Sequence, residues 1–445
     1  MKILKRIGLS ISRNLWALFI FILSFVMILS LIWPDFSFSQ TENRKLASLP
    51  SISLKGLWNG DTQNDFESYM QDQFPGRDLF FHLNYLVRKF CGQSEINQVY
   101  LGHGQLFNAR KGQTFDVLIS NAKALNRLNA ATGIPVSAIL CPNAATVLKE
   151  RLPYQATVLD EWYAVKTAAD QFQNVQYIDL SYRMEKVRND YIFYKTDHHW
   201  TSEMAGLAAG EYMSKQHPED GFTMNDFEAL PVSNDFMGSL ASASGSCFLK
   251  DTIEIRPWKQ QQDYPYTVKW ADGSVTASVY QTSALSQKNQ YEVFLGSNQS
   301  LIQIDTMADN DRNLLILKDS YANSMIQFLL PYYRSITIVD PRYCMEDLSK
   351  IISRYGINEI LAVYSCDTLM SDSSLSVMCD EFPPVEQTDG NSQTKSLQEQ
   401  LAEPEDSQTE EPQASEPDDE NSESSELKNS DPEGDDSEQE KPEDA

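Results

Sequence analysis

The chain has 445 residues, 11% aromatic and 22% charged, with a formal charge of −27. So acidic a balance excludes the basic footprint of a nucleic-acid-binding protein, and six cysteines without a C-x-x-C pair lack zinc-site spacing. The charge is uneven: residues 386–445 hold 22 Asp or Glu against three Lys, a net −19 that leaves −8 for everything before them.

The first element is an apolar run over residues 15–33 that no charged residue interrupts, preceded by Lys2, Lys5, Arg6 and Arg13. About 20 apolar residues cross a hydrocarbon core, and basic residues stay with cytoplasmic headgroups. The expectation is a transmembrane signal anchor at 15–33, with residues 1–14 cytoplasmic and the bulk of the chain extracytoplasmic at the cell membrane. A cleaved signal peptide competes with this. Its apolar stretch is normally about 7 to 15 residues and ends in small side chains, whereas this one ends in Leu31-Ile32-Trp33-Pro34. Residues 34–112 read as a membrane-proximal lead-in with a helix at 79–90.

From 113 to 380, short β-rich apolar runs alternate with helical patterns. Residues 136–141, 175–180, 313–317, 335–339 and 359–364 have the near-continuous apolarity of strands covered on both faces, the mark of a parallel sheet. Helices are expected at 115–128 and 159–172. This is a three-layer α/β architecture, interrupted at 222–305 by a β-rich insertion at one sheet edge. In it, a hairpin over 266–270 and 275–280 turns at Asp272-Gly273, with further strands at 291–295 and 301–304. Residues 386–445 have no aromatic residue and three large aliphatics, Leu397, Leu401 and Leu427. Such a segment cannot offset the entropy of ordering and is expected to be a disordered acidic tail. Cys366 and Cys379 are the nearest cysteine pair; no disulfide is assigned.

Only five histidines exist, and two are adjacent in Lys195-Thr196-Asp197-His198-His199-Trp200-Thr201. Thr201 or Ser202 can cap the helix that follows, with Glu203 in its first turn. In an extended approach, Asp197 and His199 share one side and His198 faces the other. A carboxylate beside an imidazole fixes the tautomer and supports the imidazolium. Downstream, the 313–317 strand runs into Lys318-Asp319-Ser320-Tyr321 ahead of a helical stretch at 322–330. Ser320 therefore falls at the carboxyl edge of the sheet, where open α/β folds bind ligands. The candidate site is Ser320 as nucleophile, His199 as general base and Asp197 as its orienter, with helix N-terminal amides near Ser320 as oxyanion donors. Asn143, Arg342 and Lys195 are within plausible reach but are as easily sheet-edge or surface residues.

The TDHHWT segment with KDSYANS downstream resembles the bacterial DHHW protein family, related to the AlgJ and AlgX alginate acetylation proteins and to SGNH-type hydrolases. Glu42-Asn43-Arg44, Asp72-Gln73-Phe74-Pro75-Gly76-Arg77, Val99-Tyr100-Leu101-Gly102, Gly238-Ser239 and Asp340-Pro341-Arg342-Tyr343 extend the match over residues 42 to about 370. The resemblance implies a three-layer SGNH-hydrolase-like fold whose Asp and His precede the Ser, a permuted order. It implies the same Asp197, His199 and Ser320. The expected activity is an O-acetyltransferase, or an acetyl esterase, acting on a cell-surface polysaccharide. Its acetyl donor would be supplied by a membrane-bound acyltransferase, and no cofactor or metal is called for. Two other readings stand beside it. One takes Asp-His-His as metal ligands, as in the DHH phosphoesterases, whose further Asp-rich motifs are missing here. The other is a non-catalytic glycan-binding or scaffolding protein on the same fold.

Overall fold

A computed structural model describes residues 2–109, 112 and 114–383; the acidic stretch 386–445, expected to be disordered, lies outside the described residues. The chain opens with helix α1 (Lys2–Ile32). Its described side chains from Leu15 onward are largely apolar and exposed, Trp16 at 64% and Phe21 at 65%. Among the described residues no helix is long and apolar enough to cross a membrane; in α1 the described side chains are those at 14–30 and 32, short of the about 20 that a crossing takes.

Helices α2 (Leu54–Asn59), α3 (Asp61–Asp72) and α4 (Arg77–Phe90) follow. α4 starts two residues before the expected position because Gly76, at φ 74°, turns the chain sharply out of α3. Two of the motif fragments meet here. Arg44 forks onto Asp72 (Nη2 to Oδ1 2.5 Å, Nη1 to Oδ2 2.9 Å), and Arg77 pairs with Glu42. The Gln73 amide accepts from Phe36 N–H and donates to Phe36 and Ala47 carbonyls. This knot ties residues 36–47 to the α3–α4 turn.

A small antiparallel sheet (Glu95–Ile96, Val99–Leu101, Leu106–Asn108) leads into the main domain. There, eight strands form one sheet: β1 (Val136–Cys141), β2 (Val175–Tyr177), β3 (Thr267–Lys269), β4 (Val275–Thr276), β5 (Leu301–Asp305), β6 (Asn313–Lys318), β7 (Ser335–Val339) and β8 (Glu359–Ser365). Their order is β4-β3-β5-β7-β6-β8-β1-β2. The run from β7 to β2 is parallel, and β5, β3 and β4 add antiparallel strands beyond β7. The insertion thus builds one side of the mainly parallel sheet. Every residue of β1, β7 and β8 is buried, as a sheet covered on both faces requires.

One face packs against α5 (Asp116–Thr132) and α6 (Glu161–Ala169), through Leu118, Leu125, Ala164 and Ala168. The other packs against α7 (Ser202–Gln216), through Met204, Ala208 and Tyr212. Two local expectations give way. Residues 291–295 form a 3₁₀ turn, Gln290–Val293, not a strand, closed by Leu295 and Gly296 at φ 64° and 73°. The helix expected at 322–330 is a pair of 3₁₀ turns, Ser320–Ser324 and Ile326–Phe328. The six cysteines are free, and Cys366 and Cys379 are separately buried.

Candidate active site

β6 ends at Lys318, and Asp319 carries the chain off the sheet with its amide still bonded to the Val363 carbonyl of β8. The Asp319 carboxylate caps the first 3₁₀ turn through Tyr321 N–H and receives Ser365 N–H and Oγ–H. Its neighbour Ser320 is thereby fixed at the carboxyl edge of the sheet, partly exposed.

The Asp197-His198-His199 segment is a bent loop. Phe193 and Trp200 pair across its base, and Tyr194 N–H bonds back to the His199 carbonyl. From the insertion, the buried Asp251 carboxylate holds the loop's near side, accepting from Lys195 N–H, Thr196 N–H, Thr196 Oγ and Tyr191 Oη. The far side is bonded to the Ser320 segment: Trp200 Nε1 donates to the Tyr321 carbonyl at 2.9 Å, and Tyr321 Oη donates to the His198 carbonyl at 2.5 Å. The two motifs are therefore one structural unit.

Within it, His199 Nδ1–H donates to Asp197 Oδ1 at 2.5 Å, and His199 Nε2 lies 2.8 Å from Ser320 Oγ. With the Nδ1 proton given to the carboxylate, Nε2 is the acceptor for the serine hydroxyl. Asp197 Oδ2 also receives Ser239 N–H at 2.7 Å. Burial alone would raise the Asp197 carboxyl; the His198 and His199 imidazoles and these hydrogen bonds outweigh it and hold it well below the carboxylate range. Burial, with the charge of His198, lowers His199 to about 4 against the pull of Asp197, so its imidazole is neutral at physiological pH.

The extended-chain argument is half met. Asp197 and His199 do meet, but the loop is bent, and His198 does not turn away from Ser320. Its ring lies against His199 with centroids 3.9 Å apart and planes tilted by 37°, its Nδ1 lies 2.7 Å from Ser239 Oγ, and it lines both cavities that open at Ser320. On the other side of His199 lies Tyr291, parallel within 9° at 3.9 Å, its Oη bonded to the Ser320 carbonyl. Neither Tyr291 nor Asn323 was singled out from the sequence: one sits in a segment read as a strand, the other in one read as a helix. Asn323 is buried on the wall of the Ser320 cavity, and its Oδ1 has no partner among the described residues. By contrast, Tyr321 N–H, a helix-terminal amide of the expected kind, is taken by the Asp319 cap.

Asn143 is committed to Glu161 through its backbone and side-chain N–H. Lys195 lies over the Tyr191 ring. Arg342 forks onto Asp340 but also lines the larger cavity. Thr201 holds the N-cap position of α7 without a side-chain cap; its hydroxyl bonds to Tyr191 O. Asp197, His198 and His199 are close enough together to hold a cation. However, Asp197 and both His199 ring nitrogens already have protein partners, and the set fits an ion poorly.

Two cavities meet at Ser320. The smaller, about 330 Å³, is lined by the Asp197–His199 loop, Gly238, Tyr291, Asn323 and, from the lead-in, Asn43. The larger, about 900 Å³, runs past Asn97, Gln98, Ser239, Arg342 and Asp367.

Residues 165–339, which include the loop and Ser320, match the family model described as DHHW protein, and the resemblance read from the two motifs holds. No curated protein matches the chain. Among solved structures, a DHHW family protein from Eubacterium siraeum aligns at 20% identity over 64% of this chain and 95% of its own, with a TM-score of 0.53. PatB1 of Bacillus cereus, solved with a sulfonyl adduct, aligns at 20% over 62% and 97%, again with a TM-score of 0.53. At these identities the likeness is one of fold. The O-acetyltransferase domain of Pseudomonas putida AlgJ is more distant, at 14% identity over 64% and 99% and a TM-score of 0.41.

Proposed function

We propose that the protein is a membrane-anchored, extracytoplasmic O-acetyltransferase, or the acetyl esterase that the same machinery becomes when water replaces the sugar, acting on a cell-surface polysaccharide. The observation that carries this reading is the line of hydrogen bonds from Asp197 through His199 to Ser320 at the meeting of two cavities. Neutral His199 takes the Ser320 proton as Oγ bonds to the acetyl carbonyl carbon, then gives that proton to the departing donor group, leaving acetyl-Ser320. A sugar hydroxyl next loses its proton to His199, attacks the ester and carries the acetyl away, and the proton returns to Ser320. Asp197 holds the imidazole in the tautomer both steps need. Asn323, whose amide is not committed through Oδ1, is the side chain suited to turn an N–H toward the oxyanion.

The larger, polar cavity gives a polymer room to lie beside Ser320. The exposed apolar side chains of α1 and the basic residues ahead of them support the anchor. The acetyl chemistry rests on the DHHW resemblance. The test is turnover of a small acetyl ester by the purified protein, together with alkali-released acetate from cell-surface polysaccharide. Ser320→Ala is expected to lower ester turnover by about 10³-fold or more, as loss of a nucleophile does, and to remove the released acetate. Equal turnover by the two proteins would falsify the assignment.

A further inference from the structure

Helix α4 carries an apolar stripe that no described residue covers. Leu79, Leu83, Leu86 and Phe90, at i, i+4, i+7 and i+11, with Phe80 and Val87 beside them, are 40–94% exposed, Phe90 the most. They share one side of the helix. The opposite side is bound to the domain: Tyr85 is 1% exposed, His82 Nδ1–H donates to the Gly245 carbonyl at 2.8 Å, and Phe81 packs against Gly245. The stripe is therefore held outward by fixed contacts and is not a face that has yet to find its place in the core. A contiguous exposed apolar surface of this kind marks an interaction site.

Two observations say what covers it. Trp33, immediately after α1, lines one cavity of about 340 Å³ with Phe36, Phe38 and Leu79, so the stripe begins where the apolar helix ends. Arg88 and Lys89 occupy the last turn of α4, and the stripe itself carries Leu, Val and Phe alone. Basic residues flanking an aliphatic and aromatic face are the composition of a helix that lies in the headgroup region of a bilayer.

We propose that α4 lies flat on the outer leaflet, with Leu79, Phe80, Leu83, Leu86, Val87 and Phe90 in the lipid interface. This rests on the reading of α1 as an anchor and is independent of the catalytic reading. It also fixes the site's height. Gly245, gripped by α4, closes the helix Ser239–Ser244, and Ser239 at its other end bonds Asp197 and approaches His198. Six residues of helix span about 9 Å, so the reacting groups stand close above the leaflet.

Cys91 follows the stripe and is exposed, which makes it a reporter. The full chain, with Cys247→Ser and an environment-sensitive dye on Cys91, is reconstituted in vesicles of phosphatidylcholine and phosphatidylglycerol, with and without nitroxide-labelled lipid. Strong quenching by the labelled lipid is expected. Leu83→Glu with Phe90→Glu, both at exposed positions, should cut that quenching about threefold or more by removing apolar contact with the interface, while the protein still sediments with the vesicles. A protein that sediments but is not quenched overturns the inference alone, and Cys91–Cys91 cross-linking in that case would identify a second copy as the occupant. A protein that does not sediment at all overturns the anchor as well.

Discussion

At the scale of single residues, the chemistry turns on how His199 is surrounded. Its ring lies between His198 and Tyr291, each 3.9 Å away, with Asp197 at one nitrogen and Ser320 at the other. Burial and the neighbouring His198 lower it to about 4. A base is active when deprotonated, so the acid limb of kcat/KM should lie near pH 4 rather than the 6.5 of a free imidazole. His198→Gln removes the cation that opposes protonation of His199. The limb should then move up by about one pH unit, while the plateau is largely kept; a pH profile of ester hydrolysis checks this, and a downward or absent shift would contradict it. The partnership of Asp197 with His199 was legible from the motif, because a two-residue spacing brings them together in extended and bent chain alike. The place of His198 was not, because the alternation rule holds only for a strand. This loop bends around long-range bonds from Asp251 and Tyr321, which no local spacing reveals.

Among the elements, the sheet was the readable part and the short turns were not. β1 and β7 have the bounds expected from their apolar runs, since burial on both faces leaves an unbroken signal. The turns at Ser320–Ser324 and Gln290–Val293 are set by contacts instead: the Asp319 cap and Trp200 for one, Tyr291 pressed onto His199 for the other. The most exacting contact belongs to the helix Ser239–Ser244. Its N-cap, Gly238, has an ordinary φ of −81°, so backbone freedom is not why glycine stands there. A Cβ would come within 2.6 Å of Asp197 Cγ, and only glycine lets Ser239 N–H reach that carboxylate. Gly238→Ala should push the loop aside and lower kcat by about 10²-fold, the usual cost of misplacing a reacting group by about 1 Å. The thermal transition should change far less than kcat, and comparable activity to wild type would show that the loop has slack.

For the molecule as a whole, the lead-in helps to build the candidate site as well as serving as a connector. Asn43, at φ 54° in the turn after α1, lines the Ser320 cavity, and the Arg44–Asp72 and Arg77–Glu42 pairs hold that turn in place. Exchanging residues 15–33 for a cleavable export signal should therefore leave hydrolysis of a small acetyl ester within about twofold, because the knot stays intact. Acetate on the surface polysaccharide should fall sharply, and undiminished acetylation by the released protein would show that tethering is dispensable.

Asn43 comes ten positions after Trp33, and ten residues reach at most about 36 Å when fully extended. On the proposed function, with α1 in the bilayer, the serine would not patrol the depth of a cell wall. It would work like a fixed print head, marking whatever strand is drawn past it near the membrane. Polymer lengthened from the membrane side would be marked along its whole length as it emerges. Polymer already laid down farther out would stay blank, and the history of synthesis would be written as a pattern of esters.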